Sequence, residues 1–336
     1  MKFWRSGRPP GTTVAEGLGR VLVTGAAGFI GRAVVAELSR NGTQVTAIVR
    51  RPWSFAGHIK VCQVDDIGPE TRWDEALVGC GAVVHLAARV HVMREDTHNP
   101  LAAYRHVNTE GTLALARQAA TAGVRRMIFV SSIKVNGKAT APGAVFTEAD
   151  PPAPVDPYGV SKAAAETGLL ALGSEKAMEV VIVRPPLVYG PGVRGNFLNM
   201  MRWVASGIPL PLGAVNGNRR SLVGLDNLVG LLLACLHHPA AANQVFLAAD
   251  GEDISTTALL RRTAAALGVP ARLVPVPLAV LEVGAAAVGN RALAERLFGN
   301  LQVDIGKAKR ILGWRPAVSV DEGLLRAARG LRARGT

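Results

Sequence analysis

Cysteine is scarce in this 336-residue chain: Cys62, Cys80 and Cys235 stand far apart with no CxxC spacing. That excludes a disulfide framework and a cysteine-ligated metal site, and points to a reducing, cytoplasmic home. Aromatic residues make up only 5%, so the core must be built from Ala, Val and Leu. No run of eighteen uncharged apolar residues occurs, and the basic N-terminus lacks an apolar segment before Gly17, which argues against an integral membrane segment and a secretory leader. The nearest candidate, Leu278 to Val288, is short and carries Glu282; it reads as a buried helix, with a membrane-surface helix as the alternative. Acidic residues are also short, 25 against 38 Lys and Arg, leaving a formal charge of +13. Such a surplus attracts anions by long-range forces without choosing among nucleic acid, lipid and phosphorylated small molecules. No interleaved aromatic and basic patch accompanies it, so nucleic acid is not an expected partner. Part of the surplus sits in the tails, at Lys2, Arg5 and Arg8 and at Arg326, Arg329, Arg332 and Arg334, and reads as solvated charge.

What is present is an alternation of strand and helix. Residues 1–19, rich in Gly, Pro and Arg, read as a flexible leader. Strand-like Arg20–Thr24, a helix to about Arg40 and a second strand over Gln44–Val49 form a βαβ unit. The rhythm continues through Val61–Val64, a helix near Glu70–Val78, the apolar run Ala82–Ala87, a long helix over Leu101–Ala122, Met127–Val130, a helix through Lys162 to about Leu172, and Val180–Val183. Six or seven such strands predict an α/β, Rossmann-type doubly wound parallel sheet over residues 20–185, with later segments returning to it. After Pro185 the pattern breaks into Pro- and Gly-rich loops, and residues 186–330 are expected to form mainly a smaller, substrate-binding lobe.

Between the first strand and its helix lies Thr24-Gly25-Ala26-Ala27-Gly28-Phe29-Ile30-Gly31. Glycines are required where backbone turns tightly and approaches a pyrophosphate, whose charge the free N–H groups of the following helix stabilise. Gly25, Gly28 and Gly31 meet that requirement in the right strand-to-helix context. The second strand ends in Arg50-Arg51 with no carboxylate. An acidic residue there would hold the ribose of NAD, whereas arginine accommodates the extra phosphate of NADP. The ending therefore favours NADP(H) over NAD(H), with Asp66 and Ile67, after the third strand, placed to meet the adenine.

Tyr158 and Lys162 are four residues apart and share one helix face. An ammonium beside the phenol would stabilise the phenolate, which suits a group that exchanges a proton with a sugar hydroxyl, and Lys162 would also hold the nicotinamide ribose. Ser131 and Ser132 end a strand at the carboxyl edge of the sheet, where ligands bind in such folds, and either hydroxyl could hold the substrate oxygen.

With these residues in view, the chain resembles the extended short-chain dehydrogenases/reductases, specifically the NAD-dependent epimerase/dehydratase family acting on nucleotide sugars. The resemblance spans about Arg20 to Glu322. Besides the glycine turn and Tyr158/Lys162 it rests on His85-Leu-Ala-Ala88, Asn108-Thr-Glu-Gly111, Val130-Ser-Ser132, Arg184-Pro-Pro-Leu-Val-Tyr-Gly-Pro-Gly192 and Leu312-Gly-Trp-Arg-Pro316. It implies cofactor contacts from Phe29, Ile30, Leu86, Ala87, Ala88, Asn108 and Pro185, and it assigns the hydroxyl role to Ser132. It also implies that Asn196 and Arg220 hold the nucleotide diphosphate, a fork geometry that suits arginine, and that subunits pair as a homodimer through the helices near Leu101–Ala122 and Val160–Leu172.

Two departures bear on the reaction, and one is that Asn136 stands where the family usually has the tyrosine of a Val-Tyr-Gly motif. Family dehydratases carry Asp-Glu after the hydroxyl residue, where this chain has Ile133-Lys134, so dehydration is not expected. Lys134 brings a cation beside the active-site strand, able to steady a bound anion or to point to solvent. Two outcomes of one hydride chemistry remain: reduction of a UDP-4-keto-sugar at C4, as in bacterial 4-ketoreductases of surface polysaccharide synthesis, and 4-epimerisation of a UDP-sugar with tightly bound NAD. Arg50-Arg51 tips the expectation toward reduction. A non-catalytic NADP sensor on the same fold is a third class, disfavoured by the presence of Ser132, Tyr158 and Lys162 together. No metal site is expected.

Overall fold

A computed structural model of the chain describes residues 18–90, 99–287, 295 and 297–333. Strand β1 (Arg20–Thr24) leads through the glycine turn into helix α1 (Phe29–Arg40) and β2 (Val45–Val49); β3 (Lys60–Gln63), α2 (Asp74–Leu77) and β4 (Cys80–His85) follow. The expected long helix is three continuous pieces: α3 (Pro100–Arg105), a π-turn over His106–Gly111, and α4 (Thr112–Thr121). Then come β5 (Arg126–Val130), a 3₁₀ turn over Ile133–Val135, α5 (Pro157–Lys176) and β6 (Glu179–Arg184).

The later half contributes β7 (Leu187–Tyr189), α6 (Gly195–Ala205), β8 (Arg220–Gly224), α7 (Leu225–His237), β9 (Gln244–Leu247), β10 (Asp253–Ile254), α8 (Thr256–Leu267) and α9 (Leu278–Ala287). It closes with α10 (Gly306–Leu312) and α11 (Val320–Arg332).

Seven strands form one sheet in the order β3-β2-β1-β4-β5-β6-β9, every neighbouring pair parallel. Every residue of β2 and β5 is buried, as expected where helices cover both faces of a parallel sheet. One face packs Val34, Val35 and Leu38 of α1 and Leu228, Leu231 and Leu232 of α7 against Val21, Val23 and Val84. The other packs Leu115, Ala119, Ala165 and Leu169 against Leu22, Met127 and Ile182. Each buried Val or Leu contributes about 1.5–3 kcal/mol. The last strand of the sheet and α7 come from beyond residue 185. The rest of the later half builds a second layer around a three-stranded sheet, β10-β8-β7, with Tyr189, Phe197, Leu222, Leu260 and Leu324 in its core.

Three expectations need comment. Residues 1–17 of the anticipated leader lie outside the described residues, whereas Leu18 is buried and Gly19 bridges to Cys80. The basic C-terminal run, as far as Arg332, belongs to a packed helix and not to a solvated tail; Arg334 lies outside the described residues. The helix's buried residues Val320, Leu324, Ala327 and Ala328 recur at helical spacing, and Arg326 pairs with Asp226 (2.9 Å) and Glu322 (2.8 Å). Helix α9 is the opposite case. Expected to be buried, it lies at the surface with Val280 58% and Val283 70% exposed.

Two buried polar groups lock the sheet to its helices. Arg126, 2% exposed, donates to Glu179 (2.6 Å) and through Nη1 to the carbonyls of Cys235, Leu236 and His238 (2.9–3.0 Å), capping the C-terminus of α7 from the start of β5. His85 sits between Thr24 Oγ1 (2.7 Å from Nδ1) and Thr112 Oγ1 (2.9 Å from Nε2). Burial, and then the nearby Lys162 charge, push its pKa down to about 3, so the ring is neutral at physiological pH. Arg126→Met leaves those carbonyls and Glu179 without their partner. It should lower stability by about 3 kcal/mol, read as a reduced midpoint in urea unfolding; an unchanged midpoint would contradict the capping role.

Candidate active site

The carboxyl ends of β1, β4 and β5 meet at one edge of the sheet. Thr24 Oγ1 accepts from the N–H groups of Leu86 (3.1 Å) and Ala87 (3.2 Å), drawing the segment after β4 against the turn after β1. Its own hydroxyl proton is then left for His85 Nδ1, which fixes the neutral ring with its proton on Nε2. Gly25 has φ +63° and a Cβ there would lie 2.9 Å from the Ala87 nitrogen; at Gly31 it would lie 2.1 Å from the Gly25 carbonyl. No side chain of larger size fits either position. Gly28 is the N-cap of α1 and supplies no side-chain cap, and the first turn carries no acidic residue. The leading N–H groups of α1 therefore face the cleft without an intrahelical acceptor, a surface suited to a pyrophosphate.

The structure thus fits a nicotinamide dinucleotide, whose phosphates the turn from Gly25 through Gly28, Phe29, Ile30 and Gly31 would hold. Arg50 and Arg51 are both exposed just beyond β2. Ile67 is buried in the core, while Asp66 is exposed and its carbonyl accepts from Thr71 Oγ1 (3.1 Å). Asn108 is fully buried in the π-turn. Its amide bonds to the Arg89 backbone (2.8 and 3.0 Å) and to Ser161 Oγ (3.0 Å), so its polar atoms brace the wall formed by Leu86, Ala87 and Ala88.

Ser132 caps the 3₁₀ turn, its Oγ accepting from Lys134 N (3.3 Å), and the next residue, Ile133, donates to the Pro185 carbonyl (3.0 Å). Tyr158 lies in the first turn of α5, near enough to the Ser132 hydroxyl for it to favour the phenolate, and edge-on to Tyr104 at 6.1 Å between ring centres. Ser131 Oγ is buried and without a partner among the described residues.

Lys162 differs from expectation. Its ammonium, 1% exposed, donates to the Val130 carbonyl (2.9 Å) and lies 4.4 Å from the centre of the Phe129 ring. Burial lowers its pKa to about 7, opposed by Glu166 one turn on. Tyr158 is in turn pushed well above the ordinary phenol range, by burial first and by the Asp156 charge second, with the Ser132 hydrogen bond working the other way. The strand carbonyl accepts from the ammonium, so among the described residues lysine and tyrosine share a helix face without forming the expected charge pair.

Two contributors escaped the sequence reading. Asp156 caps α5 by accepting from Gly159 N (2.7 Å) and pairs with Lys134; the Asp-Pro step at the helix start was its signal. Glu166 stands four residues after Lys162 and receives Arg184 at 3.0, 3.1 and 2.5 Å, while Arg184 Nη1 donates to Asn136 Oδ1 (3.0 Å). Of the proposed substrate contacts, Lys134 is on Asp156, and Asn196 is exposed on the first turn of α6. Arg220, at the start of β8, donates to the Gly299 carbonyl (3.1 Å), and burial lowers its pKa. Among the described residues no three His, Cys, Asp or Glu side chains are grouped to hold a metal ion, and no helix is long and apolar enough to cross a membrane.

Comparison with known proteins decides the lineage: the profile of the NAD dependent epimerase/dehydratase family matches residues 21–249. The chain belongs to this family. It is 44% identical over 308 residues to a UDP-glucose 4-epimerase of Vibrio cholerae, covering 92% of this chain and 94% of the relative. A Mycolicibacterium smegmatis UDP-glucose 4-epimerase is 28% identical, with coverages of 93% and 98%. Among solved structures, MoeE5 in complex with UDP-glucuronic acid and NAD superposes with a TM-score of 0.76 at 27% identity, over 94% of this chain and all of that one. The epimerase/dehydratase enzyme therefore has the extended short-chain dehydrogenase/reductase fold, and its family is NAD dependent.

The buried Lys162 gives a pH signature. With its folded pKa lowered to about 7 from the usual 10.5, the unfolded chain binds more protons throughout that window, so stability rises with pH across it and is lost as pH falls toward 7. The urea midpoint of the cofactor-free protein should be higher at pH 9 than at pH 7, and Lys162→Met should flatten that difference. An equally flat wild-type profile would contradict the burial of a titrating ammonium.

Proposed function

We propose that this enzyme transfers hydride at C4 of a UDP-sugar and returns it to the opposite face, a net 4-epimerisation. The observation that carries the reading is the convergence of Ser132 and Tyr158 at the carboxyl edge of the sheet, in a chain that follows a 4-epimerase relative over nearly its whole length. A bound nicotinamide nucleotide supplies the hydride acceptor and donor. The protein's residues do the rest. Ser132 orients the C4 oxygen, Tyr158 takes the hydroxyl proton during oxidation and gives it back during reduction, and Lys162 holds the cofactor ribose. Asn196 and Arg220 grip the diphosphate, and two subunits pair through α3, α4 and α5.

Burial of Tyr158 and the Asp156 charge keep its proton on in the protein alone, so proton abstraction awaits a filled site that re-engages Lys162. Incubation with UDP-glucose and no added cofactor should yield UDP-galactose. Tyr158→Phe should reduce that turnover by about a thousand-fold while leaving nicotinamide binding within about twofold; retained turnover would remove Tyr158 from the mechanism.

A second reading, reduction of a UDP-4-keto-sugar with exchangeable NADPH in surface polysaccharide synthesis, draws support from exposed Arg50 and Arg51 and the lack of a carboxylate at the end of β2. Oxidation of NADPH by UDP-4-keto-6-deoxy-N-acetylglucosamine, with no conversion of UDP-glucose, would replace the first reading by this one. In that case Arg50→Ala/Arg51→Ala should weaken NADP at least tenfold and spare NAD. Equal affinities of the unaltered enzyme for the two cofactors would sink the NADP preference.

A further inference from the structure

The pair Lys134–Asp156 stands immediately beside the candidate proton-transfer tyrosine and belongs to neither the cofactor cradle nor the core. Lys134 comes from the 3₁₀ turn that Ser132 caps; Asp156 is the N-cap of α5, two residues before Tyr158. One carboxylate oxygen of Asp156 accepts from Gly159 N at 2.7 Å and the other holds the Lys134 ammonium. That ammonium lies 5.6 Å from the centre of the Tyr158 ring, so one cation touches both the phenol's π face and the nearest carboxylate. The two elements also touch through backbone: a Cβ on Gly159 would lie 2.9 Å from the Lys134 carbonyl. Both side chains are about one-third exposed, 37% and 35%, so solvent screens the pair only in part.

We propose that Lys134 is a positioning residue for Tyr158. Through Asp156 it clamps the first turn of α5 onto the Ser132 turn and neutralises the carboxylate beside the phenol, and so sets the pH at which Tyr158 accepts the sugar hydroxyl proton. The inference rests on the reading of Tyr158 as the proton-transfer group.

The charged and titratable groups around the phenol act from four elements. On α5 itself Asp156 opposes ionisation, and Lys162 is turned to the Val130 carbonyl. On the 3₁₀ turn Ser132 favours ionisation and the Lys134 ammonium lies 5.6 Å from the ring centre; on α3 Tyr104 meets the ring edge-on and opposes ionisation. Arg89, after β4, lies 5.5 Å from the centre of the Tyr104 ring and one ring further away. Lys134 is thus the cation that meets both Tyr158 and the carboxylate acting against it. Removing the cation takes away the ammonium held by Asp156 next to a developing phenolate, whose titration opposite-charge effects of this kind move by about one to three pH units.

The test uses the full-length, cofactor-saturated protein in four forms: unaltered, Lys134→Met, Lys134→Arg and Lys134→Met/Asp156→Asn. Asparagine keeps the α5 cap, so the double variant separates lost charge balance from lost folding. The first readout is phenolate absorbance in the near ultraviolet, taken as a difference against Tyr158→Phe. The chain's three tyrosines make that difference tractable, and it needs no substrate. Lys134→Met should move the Tyr158 titration to higher pH by about one pH unit or more, Lys134→Arg should leave it in place, and the double variant should return it most of the way.

The second readout is the pH profile of turnover with whichever substrate proves active. In Lys134→Met, kcat at neutral pH should fall about tenfold for every pH unit by which the titration has moved, and it should recover at higher pH with KM unchanged. A Tyr158 titration that does not move in Lys134→Met overturns the proposal. So does a raised KM with unchanged kcat, which makes Lys134 a substrate contact instead. If the titration moves as stated while Tyr158→Phe retains turnover, the positioning stands and the proton-transfer reading fails.

Discussion

Thr24 and Gly25 bring the turn after β1 so close to the segment after β4 that a Cβ on Gly25 would lie 2.9 Å from the Ala87 nitrogen. This approach needs a glycine in the left-handed region, a hydroxyl to satisfy two backbone N–H groups, and a neutral histidine to take that hydroxyl's proton. Its result is a narrow cleft with the bare N-terminus of α1 on one side. The Asn108 brace and the tightly packed Gly31 keep that geometry from relaxing. A parallel sheet alone would give only an edge; the crossing of these two loops turns the edge into a cradle.

At the cradle's far end burial works against charge on both proton-handling side chains. Lys162 sits in apolar surroundings that favour its neutral form, and Tyr158 in surroundings that also favour its neutral form. Burial thus opposes charge on both groups. A site arranged this way has little drive to act on a sugar hydroxyl before a charged ligand changes the local field. Glu166, itself fixed by Arg184 and through it to Asn136, supplies the countercharge that keeps Lys162 from becoming fully neutral. The substitution of asparagine for the family's tyrosine at 136 is thus part of the same buried network.

Much of the fold was legible because its signals are local. β1 was placed to the residue, and most of the other large-sheet strands within one or two, because continuous apolar runs flanked by Gly or helix starts have few other readings. The shared helix face of Tyr158 and Lys162 was legible from their spacing, whereas the choice of Ser132 over Ser131 came from the family resemblance. What stayed hidden depended on contacts distant in sequence. The rotation of Lys162 toward Val130 follows from a carbonyl 32 residues earlier, and the packing of α11 follows from α8. Helix α9 was misread because apolarity alone does not say whether a face has a neighbour. The role of Lys134 stayed open because the carboxylate that claims it is 22 positions away, although the Asp-Pro helix start was visible.

The seventh strand of the large sheet, β9, is made long after the other six, yet it pairs along β6 from Val181 to Arg184. During synthesis the cofactor domain therefore waits, with β6 as an open edge, until roughly three quarters of the chain has left the ribosome. An unpaired strand with an unbroken apolar run, here Val180–Val183, is a template for joining another chain. Nascent or truncated forms ending before residue 248 thus carry an exposed β6 edge that the finished protein covers with β9.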